Sequence, residues 1–257
     1  MFLIDSHCHL DAPEFDGDRD AVMAQARRRG VRGFLVPAID RDNWQAIADL
    51  ADAHGDVLPA YGLHPLFLSR HTDADLAALA DWIAAHRCVA IGECGLDFFV
   101  PDLDPELQRA VLRPQLALAQ TLDLPVILHA RRAFDPLLAE VRRHRHLRGI
   151  VHSFSGSIEQ ARNWCAQGFL LGIGGPVTYE RAARLRRVVA ELPIEHLVLE
   201  TDAPDQPLHG RQGQRNAPEF TVDVLDCVAA LRGITAELLA EATTRNVSAM
   251  FGVPATA

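Results

Sequence analysis

Short apolar runs alternate with longer amphipathic segments along the chain. The runs predict strands over 2–5, 33–37, 58–62, 89–92, 126–129, 150–152, 169–172 and 197–200. Between them, apolar positions recurring at helical spacing predict helices over 19–29, 43–54, 75–86, 106–122, 134–144, 158–167 and 179–192. Two more helices, 218–231 and 235–250, follow the last strand. Local signals agree: Gly30, Gly55 and Gly168 follow helical runs, and Pro105 opens one. Strands separated by helices imply parallel pairing through crossovers. Eight such units predict an α/β chain folded as one (β/α)₈ TIM barrel over 1–257, with an extra C-terminal helix. An open doubly wound sheet is the alternative, but no G-x-G-x-x-G follows the first strand.

A barrel gathers the C-terminal ends of its strands at one mouth, where active sites sit. Those ends are chemically rich. The first run leads into Asp5-Ser6-His7-Cys8-His9, whose spacing of two predicts Asp5, His7 and His9 on one strand face. Strand three ends in Gly62-Leu63-His64-Pro65 and strand four in Gly92-Glu93-Cys94-Gly95-Leu96-Asp97. Strand five ends in His129, strand six in His152 and strand eight in Glu200-Thr201-Asp202. One strand-end histidine is an ordinary structural residue. Several histidine-bearing ends, with a glutamate and an aspartate on the same rim, make a divalent metal site.

Composition narrows the chemistry. The chain has 257 residues and contains no lysine, so all 25 basic residues are arginine. Schiff-base chemistry, a lysine general base and a carboxylated-lysine metal bridge are therefore excluded. The formal net charge of −9 argues against a broad basic surface gripping long nucleic acid. The five cysteines (Cys8, Cys88, Cys94, Cys165 and Cys227) are odd in number and form no C-x-x-C pair, which reads as reduced thiols in a cytoplasmic protein. Cys8 and Cys94, one position from candidate ligands, are expected to face the other way. No apolar run approaches the length of a membrane span, the start of the chain does not read as a secretory signal, and no obligate protein partner is implied.

Together these motifs resemble the TatD family of metal-dependent deoxyribonucleases, within the amidohydrolase superfamily, over essentially the whole chain. The resemblance is strongest to its YjjV-like branch. His129-Ala130-Arg131, His152-Ser153-Phe154-Ser155-Gly156, Glu200-Thr201-Asp202-Ala203-Pro204 and Arg215-Asn216-Ala217-Pro218 complete the matching set. The resemblance implies two divalent metal ions, drawn from Zn, Mn, Ni or Mg. His7, His9, Glu93 and Asp202 would hold one, and Glu93, His129 and His152 the other, with Glu93 bridging. It implies a metal-dependent hydrolase cleaving phosphodiesters by a two-metal activated water, with DNA, single-stranded or at its ends, as substrate and a 3′–5′ exonuclease as the favoured activity. Glu93 and Asp202 would be the catalytic residues, Asp202 either orienting the water and accepting its proton or serving purely as a ligand. His64, Arg131 and Arg215 are candidate substrate contacts, the arginines as phosphate forks; structural capping is the other reading of His64, and a salt bridge or surface role that of each arginine. Glu200 would support the site from behind its ligands. Ser155-Gly156-Ser157 opens a helix and is either an anion site or an ordinary cap. The alternative function is an ester or amide hydrolase on the same metal platform, such as a D-aminoacyl-tRNA deacylase or a lactonase.

Overall fold

The computed structural model describes residues 2–254. Eight parallel strands run in the order β1 to β8: Leu3–Asp5, Val31–Pro37, Val57–Tyr61, Ala90–Asp97, Val126–Arg131, Gly149–Val151, Phe169–Ile173 and Leu197–Leu199. Seven helices follow the first seven strands in turn: α1 Arg19–Arg29, α2 Trp44–Ala53, α3 Asp73–Ala85, α4 Pro105–Leu122, α5 Phe134–Val141, α6 Ile158–Ala166 and α7 Ala183–Glu191. α8 (Thr221–Arg232) and α9 (Ala236–Phe251) follow β8. The sheet curls into a nearly closed barrel. Across the β8–β1 seam the Ser6 amide donates to the Leu199 carbonyl at 2.9 Å, and the Asp202 amide to the His7 carbonyl at 2.9 Å. The expected (β/α)₈ barrel is the observed fold.

Local chemistry explains where elements start and stop. Gly30 ends α1 in the left-handed conformation (φ 102°) that costs glycine nothing. Asp104 caps α4 ahead of Pro105, and Thr72 and Asp75 close a capping box on α3. Ser157 closes another with Gln160 on α6, so the Ser155-Gly156-Ser157 stretch is an ordinary cap.

Strand alternation divides the core in two. Outward residues such as Leu3, Phe34, Val36, Ile91, Leu128 and Val151 pack against the helices, with Trp44 and Trp164 filling that layer. Inward residues form a small central plug: Ile4, Leu35, Leu58, Ala60, Ala90, Ile127, Ile150, Leu170 and Val198. Val247 of α9 joins this plug, with Met250 and Phe251 beside it, so the last helix stoppers one end of the barrel. Thr244 and Asn246 tie that helix to the start of the seam strands, through the Phe2 carbonyl at 2.9 Å and the Ile194 and Leu197 carbonyls at 2.8 Å. Chemistry is left to the other end. Cys8 and Cys94 lie in the outer layer, as expected.

One local expectation fails. β1 ends at Asp5 and the chain then bends, so His7 and His9 lie beyond the strand rather than on its face. Asp5 turns outward to the seam, accepting hydrogen bonds from the Thr201 amide at 3.0 Å and the Thr201 hydroxyl at 2.6 Å. It takes no place among the histidines.

Candidate metal centre

Alternation that starts in the central plug carries three histidines to the mouth. Leu58 and Ala60 face inward, and counting on by twos through Gly62 reaches His64. Ile127 leads in the same way to His129, and Ile150 to His152; Val198 leads to Glu200. Glu93 does not follow from this rule. Ile91 packs outward, so simple alternation would turn Glu93 outward as well. The β4–β5 register shifts between Ile91 and Cys94, and this irregularity inverts the phase. Cys94 and Leu96 then face the helices, while Glu93 and Asp97 face the interior. Glycine makes the shift possible: a Cβ on Gly92 would meet the Ile127 carbonyl oxygen at 2.7 Å.

The side chains converge on the Glu93 carboxylate, which is 1% exposed. Its Oε2 faces His7 Nε2 at 3.1 Å and His9 Nε2 at 3.7 Å. Asp202 Oδ1 completes this group, 3.4 Å from His7 Nε2 and 3.6 Å from His9 Nε2. The other oxygen, Oε1, faces His152 Nε2 at 2.8 Å, His129 Nδ1 at 3.0 Å and His64 Nε2 at 3.0 Å. The donors form three overlapping triplets, each with its atoms within 4.8 Å of one another. His7, His64, His152 and Glu93 are buried, whereas His9, His129 and Asp202 are partly open toward the mouth.

This donor set fits metal ions. His7 Nε2 and His9 Nε2 lie 3.3 Å apart with Asp202 Oδ1 within 3.6 Å of both, a crowding of donor atoms that a shared cation would satisfy. The separations in the Oε2 group match the ligand–ligand edge of about 3.4 Å expected for tetrahedral donors about 2.1 Å from an ion. Nitrogen and carboxylate donors together suit Zn, Mn or Ni.

Electrostatics within the cluster are lopsided. Burial alone would raise Glu93, but His152, His64 and His7 around it hold it well below the usual carboxylate range. Burial would likewise lower His152, yet the Glu93, Asp202 and Glu200 carboxylates push it up to about 10. Burial prevails at His7 and His64, both lowered to about 4. Glu200, behind the ligands, is raised to about 8 by burial; its Oε1 accepts from the Ser153 amide at 2.6 Å and lies 3.8 Å from His152 Nδ1.

The sequence-derived candidates divide. Those proposed as metal ligands meet in one cluster. His64 joins it and also takes the capping role that is the other reading of it. The Leu66 amide donates to His64 Nδ1 at 3.1 Å, which leaves the proton on Nε2 and directs it to Glu93. This tautomer orients the carboxylate and offers no lone pair to an ion. Arg131 is exposed, two residues beyond His129 on β5, with its guanidinium over the Phe99 ring. Arg215 stays away. Its guanidinium forks onto Asp18 at 2.9 and 2.6 Å, fastening the chain after β8 to the segment before α1. Two residues absent from the sequence candidates prove to matter. Asp97 Oδ2 accepts from His129 Nε2 at 3.0 Å, fixing that ring with Nδ1 toward Glu93. Gln206 donates to Asp202 Oδ2 while its own oxygen accepts from the Ser153 hydroxyl at 2.9 Å. Asp97 had a signal, standing four residues after Glu93 at even spacing. Gln206 had none.

Fold and donor set together define a metal-dependent hydrolase built on a (β/α)₈ barrel. The chain belongs to the TatD family: the family model described as TatD related DNase matches residues 4–252. It is 43% identical over 254 residues to the uncharacterized metal-dependent hydrolase YjjV of Escherichia coli K12, covering 98% of each chain. The crystal structure of that TatD homologue superposes with a TM-score of 0.95 at 42% identity, again over 98% of each chain. A relative from Erwinia tasmaniensis, named 3′-5′ ssDNA/RNA exonuclease TatD, is 34% identical over 259 residues, covering 98% of this chain and all of its own.

Proposed function

We propose that this hydrolase is a nuclease, cleaving phosphodiester bonds at single-stranded ends of DNA, in which His7, His9, Glu93, Asp202, His129 and His152 would hold two divalent ions. The observation that carries the reading is the division of one carboxylate between two donor groups, Oε2 toward His7, His9 and Asp202, Oε1 toward His129 and His152. The activity in the Erwinia relative's name supports phosphodiesters as the substrate class. So does the guanidinium of Arg131 beside the mouth, stacked on Phe99 without a carboxylate partner among the described residues, which matches phosphate geometry.

When bound, the ions lower the pKa of a water toward about 7 and neutralise charge on the phosphate. The remaining work falls to the protein. Asp202 Oδ1, steadied through Oδ2 by Gln206, orients the attacking water and accepts its proton. The water oxygen bonds to phosphorus as the opposite P–O ester bond breaks, and the leaving oxygen takes up a proton. His64 and Asp97 hold Glu93 and His129 at fixed angles throughout, so the donors need no reorganisation during the step.

The test is hydrolysis of end-labelled single-stranded DNA by metal-stripped protein, with Mg²⁺, Mn²⁺ or Zn²⁺ restored in turn. Stepwise metal-dependent shortening that vanishes in Glu93→Ala is expected. A metal-loaded wild type that leaves DNA intact but hydrolyses carboxylic esters would refute the nuclease reading.

A further inference from the structure

The loop leaving β4 carries a large exposed aromatic, Phe99, 42% exposed. The Arg131 guanidinium carbon lies 3.6 Å from its ring centroid and that of Arg132 lies 4.6 Å from it. Elsewhere arginines near an acid form ion pairs, as Arg27 does with Asp56, Arg29 with Asp223, Arg70 with Asp40 and Arg215 with Asp18. Arg131 and Arg132 have no carboxylate partner among the described residues. Two unpaired guanidiniums and an exposed ring therefore stack against one another.

Backbone bonds pin this stack to the metal centre. The Phe99 amide donates to Asp97 Oδ1 at 2.8 Å, and the other oxygen of that carboxylate holds His129. The Phe98 amide donates to the Arg131 carbonyl at 2.8 Å. Arg131 shares the inward face of β5 with Ile127 and His129, and two residues of strand place it about 7 Å beyond His129.

We propose that Arg131, Phe99 and Arg132 form a stacking subsite for an unpaired nucleobase adjacent to the scissile phosphate, a proposal that rests on the nuclease reading above. Every base presents a π-face that an aromatic ring or a planar guanidinium can cover, so the subsite is tolerant of sequence. The flanking positive charges pair with the neighbouring phosphates. A base still paired in a duplex must be unstacked before it can use the platform, which makes single strands the better substrate.

The experiment uses metal-loaded protein and short phosphorothioate-linked oligonucleotides carrying the fluorescent base 2-aminopurine at successive positions. Saturable quenching at one position near the cleaved end is expected for wild type. Phe99→Ala should abolish the quenching and weaken binding about 5- to 150-fold, the range for one base–aromatic stack, with Phe99→Tyr restoring both. Equal quenching and affinity in Phe99→Ala, or wild-type binding without quenching, would overturn the subsite. A parallel cleavage assay separates the two claims. Wild-type quenching without cleavage removes the nuclease reading and keeps the platform. Cleavage whose KM is unmoved by Phe99→Ala removes the platform and keeps the nuclease.

Discussion

Asp97 shows how a residue that touches no ion can govern a metal centre. Its carboxylate accepts from His129 Nε2, so Nδ1 is turned toward Glu93 before any ion arrives. Asp97→Asn should reduce metal affinity about 10- to 100-fold with an unchanged circular dichroism spectrum, as titration calorimetry would show. His152 makes a second case. Burial opposes its protonation, but the carboxylates around it, Glu93 above all, push its pKa up to about 10. The metal-free protein therefore holds a proton there at pH 7, and an ion entering between His152 and Glu93 must displace it. Apparent metal affinity should rise with pH above 7, about tenfold per pH unit for each proton displaced, with at least one proton released on binding. Calorimetry in buffers of different ionisation enthalpy measures that proton; affinity independent of pH would contradict the arrangement. The sign for stability follows. A raised histidine stabilises the metal-free fold fully below its ordinary value of 6.5, and that contribution is lost as pH climbs through about 10.

At the scale of elements, β4 decides whether there is a site at all. Its register shift turns Glu93 from the helical layer into the barrel, and Gly92 at φ 155° leaves no room for a side chain beside Ile127. Gly92→Ala should cost about 1–3 kcal/mol in stability and disrupt metal binding. Gly17→Ala, whose Cβ would meet nothing, should do neither; thermal melts and metal titrations of the two variants make the comparison. At the other end of the barrel, α9 inserts Val247 into the central plug. Val247→Ala should destabilise the fold by about 1–3 kcal/mol in denaturant titration while metal-site spectra stay unchanged.

These elements also mark what the sequence could say. His64, His129 and His152 were legible because unbroken alternation links each to an inward apolar residue on its own strand. Glu93 was placed by its motif and not by alternation, which stops at Gly92, because a register shift depends on the neighbouring strand. The face expected for Asp5, His7 and His9 failed for a similar reason: Thr201, nearly 200 residues away, captures Asp5. Arg215 reads equally as a phosphate fork or a salt bridge, and folding brings Asp18 to it to make the salt bridge. Local periodicity reports which way a side chain leaves its strand, and not which distant partner will claim it.

For the molecule as a whole, the acidic balance restricts how nucleic acid can be held. With a net charge of −9, the proposed nuclease would draw on Arg131 and Arg132, gathered beside the mouth, to hold a few phosphates at the site. Two phosphate contacts on a single strand predict a slope of about −1.4 for log affinity against log salt. A slope steeper than about −4 would show an extended basic track that this account does not contain. If the proposed arrangement holds, Glu93 would offer one oxygen to each of two ions. Anomalous diffraction from crystals grown with Mn²⁺ tests it directly. The expected map shows two peaks on either side of Glu93, one against His7, His9 and Asp202, the other against His129 and His152. A single peak, or two peaks that do not share Glu93, would contradict it.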